Sequence, residues 1–162
     1  MKYKSQLDSY FNGDYEVIKC EEEIFEDISN YNGNPFKFKG FIDLVVKQGD
    51  TYHILDWKTC SWGWDARRRA DPMVTYQLTL YKIFYAQKHS VDLKNIETHF
   101  ALLKRTAKKE RVEIFRVTSA SKKQQNALAL LSKALYNIKN SNFVKDRRSC
   151  AKCEFYRTEH CP

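Results

Sequence analysis

The sequence predicts an α/β domain in which a central mixed β-sheet is flanked by helices. Five segments are rich in the apolar and β-branched residues typical of strands. Two longer segments carry apolar residues at the three- and four-residue spacing of amphipathic helices. A chain of 162 residues is also long enough to bury a core. We therefore expect one domain, with residues 1–148 as its core and residues 149–162 as a cysteine-rich tail of that same domain.

The elements are predicted in chain order from apolar patterning and turn residues. A short polar segment at 1–14, compatible with a helix, ends in the turn Asn12-Gly13-Asp14. The predicted strands are 15–25, 36–46, 51–58, 96–104 and 111–117, with a turn at 30–35 between the first two. The predicted helices are 72–89 and 119–140.

Both predicted helices carry capping residues and an apolar stripe. Asp71 and Pro72 suit the start of the first helix, and Ser119 or Ser121 the start of the second. The first stripe contains Met73, Tyr76, Leu80, Ile83 and Phe84, and the second Leu128, Leu131, Leu135 and Ile138. We expect the second stripe to face the core.

The second and third strands form a hairpin that concentrates the candidate catalytic residues. Turn residues Gln48-Gly49-Asp50 join the two strands. Because strand side chains alternate between faces, Asp56 and Lys58 project to one side and Trp57 to the other. Simple pairing across the turn brings Asp43 within reach of Asp56. Two carboxylates and an ammonium group suit a hard divalent cation and a water directed at a phosphodiester.

The charge balance favours a polyanionic partner. Lysine and arginine number 28 against 20 aspartates and glutamates, and the isoelectric point is near 9.2. This excess indicates nucleic acid before a membrane surface. No apolar run approaches transmembrane length, and the N-terminus lacks the apolar stretch of a signal peptide. We therefore expect a cytoplasmic protein of a bacterium, or of a phage acting in its host, without membrane association.

An aromatic and basic segment follows the hairpin. Trp62 and Trp64 precede three consecutive arginines, Arg67, Arg68 and Arg69. One interpretation is a DNA-contacting loop in which arginines meet phosphates and tryptophans stack on unpaired bases. The other is a solvated charged run beside partly buried tryptophans. The position of the segment beside a candidate phosphate site favours the first.

The tail has metal-ligand spacing. Cys150 and Cys153 are separated by two residues, and Cys161 follows. In an intracellular protein such a group is typical of a metal site, although an unligated thiol tail is the alternative. Iron–sulfur clusters take four thiolates, whereas zinc also accepts histidine. The fourth ligand would be Cys20 or His160, and neighbours such as His160 and Cys161 rarely both ligate one ion.

These motifs together resemble the PD-(D/E)XK nuclease superfamily. The resemblance rests on four motifs, which are in chain order Gly40-Phe41-Ile42-Asp43, Asp56-Trp57-Lys58-Thr59, Gln77-x-x-x-Tyr81 and the cysteine-rich tail. The set looks most like the RecB-like branch, with its AddB-type, CRISPR-adaptation and phage exonucleases. This resemblance implies a restriction-endonuclease-like core.

The resemblance also implies roles for individual residues. The ligands of Mg²⁺ or Mn²⁺ would be Asp43, Asp56 and the backbone carbonyl of Trp57. Lys58 would position or help to deprotonate the attacking water and stabilise negative charge at phosphorus. Gln77 and Tyr81 would orient the DNA strand or the lysine. The three tail cysteines would match ligands of a [4Fe–4S] cluster, with zinc as the alternative.

The expected function is metal-dependent hydrolysis of DNA. The chain would be an exonuclease acting on ends or single strands in recombination, repair or phage replication. A homo-oligomer or partner proteins of recombination or replication would fit such a role. Two other hypotheses remain: a nucleic-acid-binding module of the same fold that cuts nothing, and a structural zinc protein whose tail is an interaction knuckle.

Overall fold

The structure, a computed structural model, describes residues 4–28, 36–143 and 147–161. The strands are β1 (Glu16–Asp27), β2 (Lys37–Gln48), β3 (Thr51–Cys60), β4 (Ile96–Lys104) and β5 (Val112–Val117). The α-helices are α1 (Lys4–Tyr10), α2 (Ala66–Ala70), α3 (Pro72–His89) and α4 (Ser121–Lys139), and Leu93–Asn95 and Arg147–Lys152 form 3₁₀ helices. The predicted strands and long helices are confirmed, whereas the turn predicted at 30–35 lies outside the described residues.

The chain divides into two compact units. The first is Met1–Leu130 and contains the whole sheet, and the second is Leu131–Pro162. The division falls inside α4. The boundary between core and tail expected after residue 148 stays a prediction. None of the helices in the described ranges is both long and apolar enough to cross a membrane.

The sheet has five strands in the order β1-β2-β3-β4-β5. All neighbours are antiparallel except β3 and β4, which are parallel. A parallel pair requires a crossover connection, and α3 lies within the segment between β3 and β4 and packs on the sheet. The mixed α/β sheet flanked by helices is therefore confirmed, and the hairpin of β2 and β3 turns at Gly49, whose φ is +55°.

The two faces of the sheet are covered by different helices. On one face α3 packs against β1, β2, β3 and β4; we call this the α3 face. On the other face Phe11, just after α1, forms a core cluster with Leu44, Val46 and Leu55, and Trp57 packs against this cluster. We call it the α1 face. The alternation predicted along β3 is therefore present, because Trp57 lies on the α1 face and Asp56 on the α3 face.

Helix α3 buries mostly other side chains than the apolar residues from which it is predicted. Met73 is 64% exposed, and Tyr76, Leu80 and Ile83 are only partly buried. The side chains that α3 buries are instead Thr75, Leu78, Thr79, Tyr81, Phe84 and Tyr85. The two threonines are short, and each hydroxyl bonds a carbonyl of its own helix, Asp71 and Thr75 respectively, so they can lie against the sheet without an unsatisfied polar group. In α4, the predicted stripe residue Ile138 is likewise exposed.

A buried carboxylate ties β1 to the end of α3. Glu22 is 7% exposed, and its Oε1 lies 2.7 Å from Lys88 Nζ and 2.9 Å from His89 Nε2. Burial alone would raise the pKa of Glu22, but the hydrogen bonds and charges of Lys88 and His89 outweigh it and lower the pKa. The folded protein therefore favours the ionised carboxylate.

Replacing Glu22 with glutamine should destabilise the fold by about 1–3 kcal/mol at neutral pH, because a charged hydrogen-bond acceptor is lost. The contribution of a carboxylate with a lowered pKa is complete above its ordinary value near 4.5 and is lost as the pH falls through the lowered value. Urea unfolding at several pH values measures this. Glu23→Gln, on the exposed neighbour, should stay within about 0.5 kcal/mol of wild type, and equal effects of the two variants at pH 7 would contradict the prediction.

Candidate active site

The candidate site lies where the β2–β3 hairpin opens. The paired register of the two strands ends at Leu44 opposite Leu55. The next residue on the β2 side, Asp43, uses its side chain instead of its backbone: Oδ2 accepts a hydrogen bond of 2.6 Å from the Trp57 backbone N–H. A strand residue directs its N–H and C=O toward the same neighbouring strand. The Trp57 carbonyl therefore also faces the Asp43 side, as the predicted ligand set requires.

Asp56 is held between a lysine and a glutamine. Lys58 Nζ lies 2.7 Å from Asp56 Oδ2, and Gln77 Nε2 donates a hydrogen bond of 3.1 Å to Oδ1. Asp56 itself is 2% exposed, whereas the Lys58 side chain is partly exposed. The strand alternation thus places Asp56 and Lys58 together on the α3 face, with the Lys58 side chain partly exposed.

The Asp56 carboxylate is short of hydrogen bonds. Its buried Oδ2 has the Lys58 ammonium at 2.7 Å as an ion-pair partner, but no second donor among the described residues. Burial raises the pKa of Asp56, the hydrogen bond and charge of Lys58 lower it, and the charge of Asp43 raises it again. The net shift is upward. A buried carboxylate oxygen whose close partner is an ammonium group, beside a second carboxylate, has the donor chemistry of a hard divalent cation site.

Helix α3 contributes the glutamine and tyrosine that the sequence placed on one helical face. Gln77 Nε2 also donates to the Tyr81 hydroxyl, over 3.1 Å. Asp71 caps this helix by accepting from the Met73 N–H, as predicted. A capped helix packed on the sheet holds Gln77 in place against Asp56, so the amide bridges the carboxylate and the phenol.

A glycine on β2 makes room for Tyr81. A Cβ at Gly40 would lie only 2.6 Å from Tyr81 Cε1, which is closer than two carbon atoms can approach. The sequence showed Gly40 as part of a motif without indicating what it touches. Its partner is a helix residue far along the chain, and the signal available was only the glycine inside a strand pattern.

The aromatic and basic segment is divided between core and surface. Trp62 is 74% exposed, whereas Trp64 is 7% exposed and packs against Phe100 and Phe115 at ring-centroid distances of 5.0 and 6.2 Å. Trp64 is therefore a core side chain whose ring is covered, not a free stacking surface. Part of the segment predicted as a loop is helix α2, which Asp65 caps.

The three arginines also differ in their surroundings. Arg69 donates to the Trp64 carbonyl over 2.9 Å and pairs with Glu113, which holds it in place. Arg67 and Arg68 are exposed, and the guanidinium of Arg68 stacks 4.8 Å over the Trp64 ring. Arg67 and Arg68 therefore keep a surface on which a phosphate could bind.

A second basic segment lies beside this one. The Arg105 N–H donates to the Cys60 carbonyl over 2.8 Å, and the Thr106 N–H to the Ser61 carbonyl over 3.2 Å. These bonds continue the parallel pairing of β3 and β4 past the end of both strands. The exposed cationic residues at this end of the sheet, with Trp62, form what we call the basic rim: Trp62, Arg67, Arg68, Arg105, Lys108 and Lys109.

The tail folds into consecutive turns that contain the three cysteines. The Cys153 N–H donates to the Cys150 carbonyl, and the Arg157 N–H to the Cys161 carbonyl, each over 3.1 Å. All three thiols are free, as are Cys20, exposed on β1, and Cys60. His160 is exposed and packs edge-on to Phe155. Within the described residues the three tail sulfurs do not form a group close enough to share an ion.

Comparisons with known proteins agree with this geometry. The sequence profile of the PD-(D/E)XK nuclease superfamily matches residues 4–159, and no curated protein matches the chain. Among solved structures, SSO0001 has a TM-score of 0.54 at 18% identity over 95% of this chain, and a "Putative exonuclease" from Eubacterium rectale a TM-score of 0.58 at 17% identity over 95%.

The chain spans less than two thirds of either solved structure, 63% of the first and 56% of the second. At these identities the likeness concerns the fold alone. The family profile, in contrast, covers nearly the whole chain. The chain therefore belongs to the PD-(D/E)XK nuclease superfamily.

Proposed function

We propose that this protein is a Mg²⁺- or Mn²⁺-dependent deoxyribonuclease of the RecB-like branch, acting as an exonuclease on DNA ends or single strands. The observation that carries the proposal is the convergence of Asp43, Asp56 and Lys58 where the hairpin opens, with Asp56 Oδ2 buried beside the Lys58 ammonium. A carboxylate pair of this kind has the donor chemistry of a hard-cation site.

The residues that would hold the cation are Asp43, Asp56 and the Trp57 carbonyl. When bound, the cation would supply Lewis-acid polarisation of the phosphate and orientation of the attacking water. Asp43 is already oriented by the Trp57 N–H, and Asp56 by the Gln77 amide. The ligands therefore need little rearrangement to bind.

Lys58 is the residue that acts on the phosphate. Its side chain is partly exposed and its ammonium is anchored at Asp56, so it can donate to a phosphate oxygen or hold the attacking water. As the water oxygen adds to phosphorus and the ester P–O bond breaks, the ammonium stabilises the negative charge that develops. Gln77 and Tyr81 keep the pair of Asp56 and Lys58 in place from the helix side.

The basic rim supports DNA as the substrate. Exposed arginines and lysines next to the exposed Trp62 combine phosphate contacts with a stacking surface, which is the usual arrangement for single-stranded nucleic acid. The rim begins at Trp62, four residues after Lys58 and two residues beyond the end of β3. A strand bound there would be led toward the candidate site.

The tail would hold a [4Fe–4S] cluster through Cys150, Cys153 and Cys161, with zinc as the alternative. The support is the ligand spacing and the turns that gather residues 150–161. Cys20 or His160 would complete the set. Anaerobic purification followed by iron, sulfide and zinc analysis distinguishes the two metals, since a cluster is brown and a zinc site is colourless.

The experiment that tests the nuclease proposal compares labelled linear single-stranded, linear double-stranded and closed circular DNA, in Mg²⁺, in Mn²⁺ and in EDTA. We expect cutting of the linear forms in either metal, none in EDTA, and no cutting of closed circles. Cutting of circles would contradict exonuclease action. DNA binding without cutting in any metal would instead identify an inactive binding module of the same fold.

Replacing Gly40 with alanine should lower cleavage by about tenfold or more, because the new methyl group displaces Tyr81 and, through it, Gln77. The measurement is the cleavage rate beside the DNA dissociation constant, which should change little. If the effect passes through Tyr81, the same substitution should cost much less in a Tyr81→Leu chain. Equal losses in both backgrounds would contradict this coupling.

A further inference from the structure

A second group of metal-ligating side chains lies on the opposite face of the sheet from Asp56. His53 is near the start of β3, and Glu97 and His99 are on the neighbouring strand β4, where His53 pairs with Glu97 and Leu55 with His99. The His53 and His99 rings pack against Phe11 at centroid distances of 4.9 and 6.0 Å. The group is therefore on the α1 face, separate from the catalytic residues.

The three ligand atoms form a compact triangle. His53 Nδ1 is 3.0 Å from His99 Nε2, and Glu97 Oε2 is 3.8 Å from the first and 4.0 Å from the second. A point equidistant from these three atoms lies about 2.1 Å from each, which matches zinc–nitrogen and zinc–oxygen bonds of about 2.0–2.2 Å. Among the described residues, these three side chains form a group whose ligand atoms lie close enough together to hold one ion.

His99 and Glu97 each contact a polar side chain outside the triangle, as metal-ligating residues commonly do. The Tyr10 hydroxyl lies 3.1 Å from His99 Nδ1, the ring nitrogen that does not face the triangle. Arg116 binds the other carboxylate oxygen, Glu97 Oε1, over 2.8 Å. Such partners fix the tautomer of a ligating histidine and the orientation of a ligating carboxylate. They leave His99 Nε2 and Glu97 Oε2 facing the centre of the triangle.

The donor set selects the class of metal. Two imidazoles and one carboxylate suit zinc and similar transition ions, whereas Mg²⁺ and Ca²⁺ prefer oxygen ligands alone. Burial lowers the pKa of both histidines, in His99 to about 3, with further lowering there by His53 and Arg116. Burial thus favours the neutral imidazole, which is the form that ligates a metal.

We propose that His53, Glu97 and His99 bind one Zn²⁺ ion that stabilises the fold and is separate from the cation of the nuclease site. The ion replaces the direct contact between the two imidazoles and links β3 to β4, with Tyr10 adding α1 through His99. The Glu97 side chain, partly exposed, marks the side from which the ion enters, and a water completes the coordination. Because zinc binds the folded chain, it raises the stability by mass action.

The test must separate this site from the tail, whose thiols also bind zinc. The full chain is prepared metal-free, both as wild type and with Cys150, Cys153 and Cys161 replaced by serine. Each form is titrated with Co²⁺ and then with Zn²⁺ in excess Mg²⁺, which occupies the proposed cation site of Asp43 and Asp56. We expect one Co²⁺ per serine-variant chain, with d–d absorption but without thiolate charge-transfer absorption, and displacement by Zn²⁺. In wild type the same band should appear in addition to any thiolate signal.

Ligand variants decide which residues bind. Glu97→Gln and His53→Gln should weaken Co²⁺ binding at least about tenfold and should abolish the rise in melting temperature caused by Zn²⁺. His89→Gln, which changes a histidine bound to Glu22 rather than to this group, should leave both unchanged. If His53→Gln does not fold, Glu97→Gln on the partly exposed carboxylate decides. The proposal would be overturned if neither form of the chain showed a Co²⁺ d–d band free of thiolate charge transfer. Equal Co²⁺ binding by Glu97→Gln and His89→Gln would also overturn it.

Discussion

Replacing Lys58 with alanine should reduce DNA cleavage by about 10²- to 10⁴-fold, the range for removing a group that transfers a proton or stabilises charge in the transition state. The ammonium lies 2.7 Å from Asp56 Oδ2 and its side chain reaches the surface, so its loss removes the nearest cation from the site. The measurement is single-turnover cleavage of end-labelled linear DNA at saturating Mg²⁺, which isolates the chemical step from binding.

The matched control is Lys39→Ala, on the exposed lysine of β2 that pairs with Glu23. This substitution removes one positive charge from the same pair of strands but leaves the site intact. The cleavage rate of the variant should therefore stay within about twofold of wild type. Melting temperatures of both variants establish that they are folded. A Lys58→Ala chain that cuts as fast as Lys39→Ala would exclude Lys58 from catalysis.

Replacing Asp56 with asparagine should have the larger effect, a loss of about 10³-fold or more, because a charged ligand of the cation disappears and with it several kcal/mol of transition-state stabilisation. The amide keeps the shape of the side chain and an oxygen for Gln77. Since burial raises the pKa of Asp56, the folded protein disfavours the carboxylate, and the neutral amide should not lower the melting temperature in EDTA.

A second measurement separates metal binding from catalysis. Mg²⁺ or Mn²⁺ should raise the melting temperature of wild type but not of Asp56→Asn, because only wild type binds the cation through this ligand. Asp50→Asn, in the exposed hairpin turn, should behave as wild type in both assays. Metal stabilisation that persists in Asp56→Asn would place the cation elsewhere and remove the basis of the proposed nuclease site.

The parts of the site predictable from sequence are those set by local geometry. The turn at Gly49 sets the register of β2 against β3, and that register places Asp43 beside Asp56. Strand alternation puts Lys58 on the side of Asp56, and helical spacing puts Gln77 on the side of Tyr81. Each relation spans few residues or a single tight turn, so the sequence pattern determines it.

The errors have one physical origin, which is packing between segments distant in sequence. The buried face of α3 is set by its contact with the sheet, so Thr75 and Thr79 are buried while Met73 is exposed. Trp64 is covered because Phe100 and Phe115, on later strands, lie against it. Hydrophobicity alone does not reveal such partners.

Local patterning in the sequence was sufficient to predict the fold class, the hairpin with its carboxylates and lysine, and the helix that carries Gln77 and Tyr81. Three features depend instead on how distant segments pack: Asp56 Oδ2 is buried beside the Lys58 ammonium, Tyr81 lies over Gly40, and His53 meets His99, 46 residues away. The reason is that periodicity fixes which side of an element a residue occupies. The residue it meets there depends on the parallel register of β3 and β4 and on the packing of α1 and α3, which involve the whole chain.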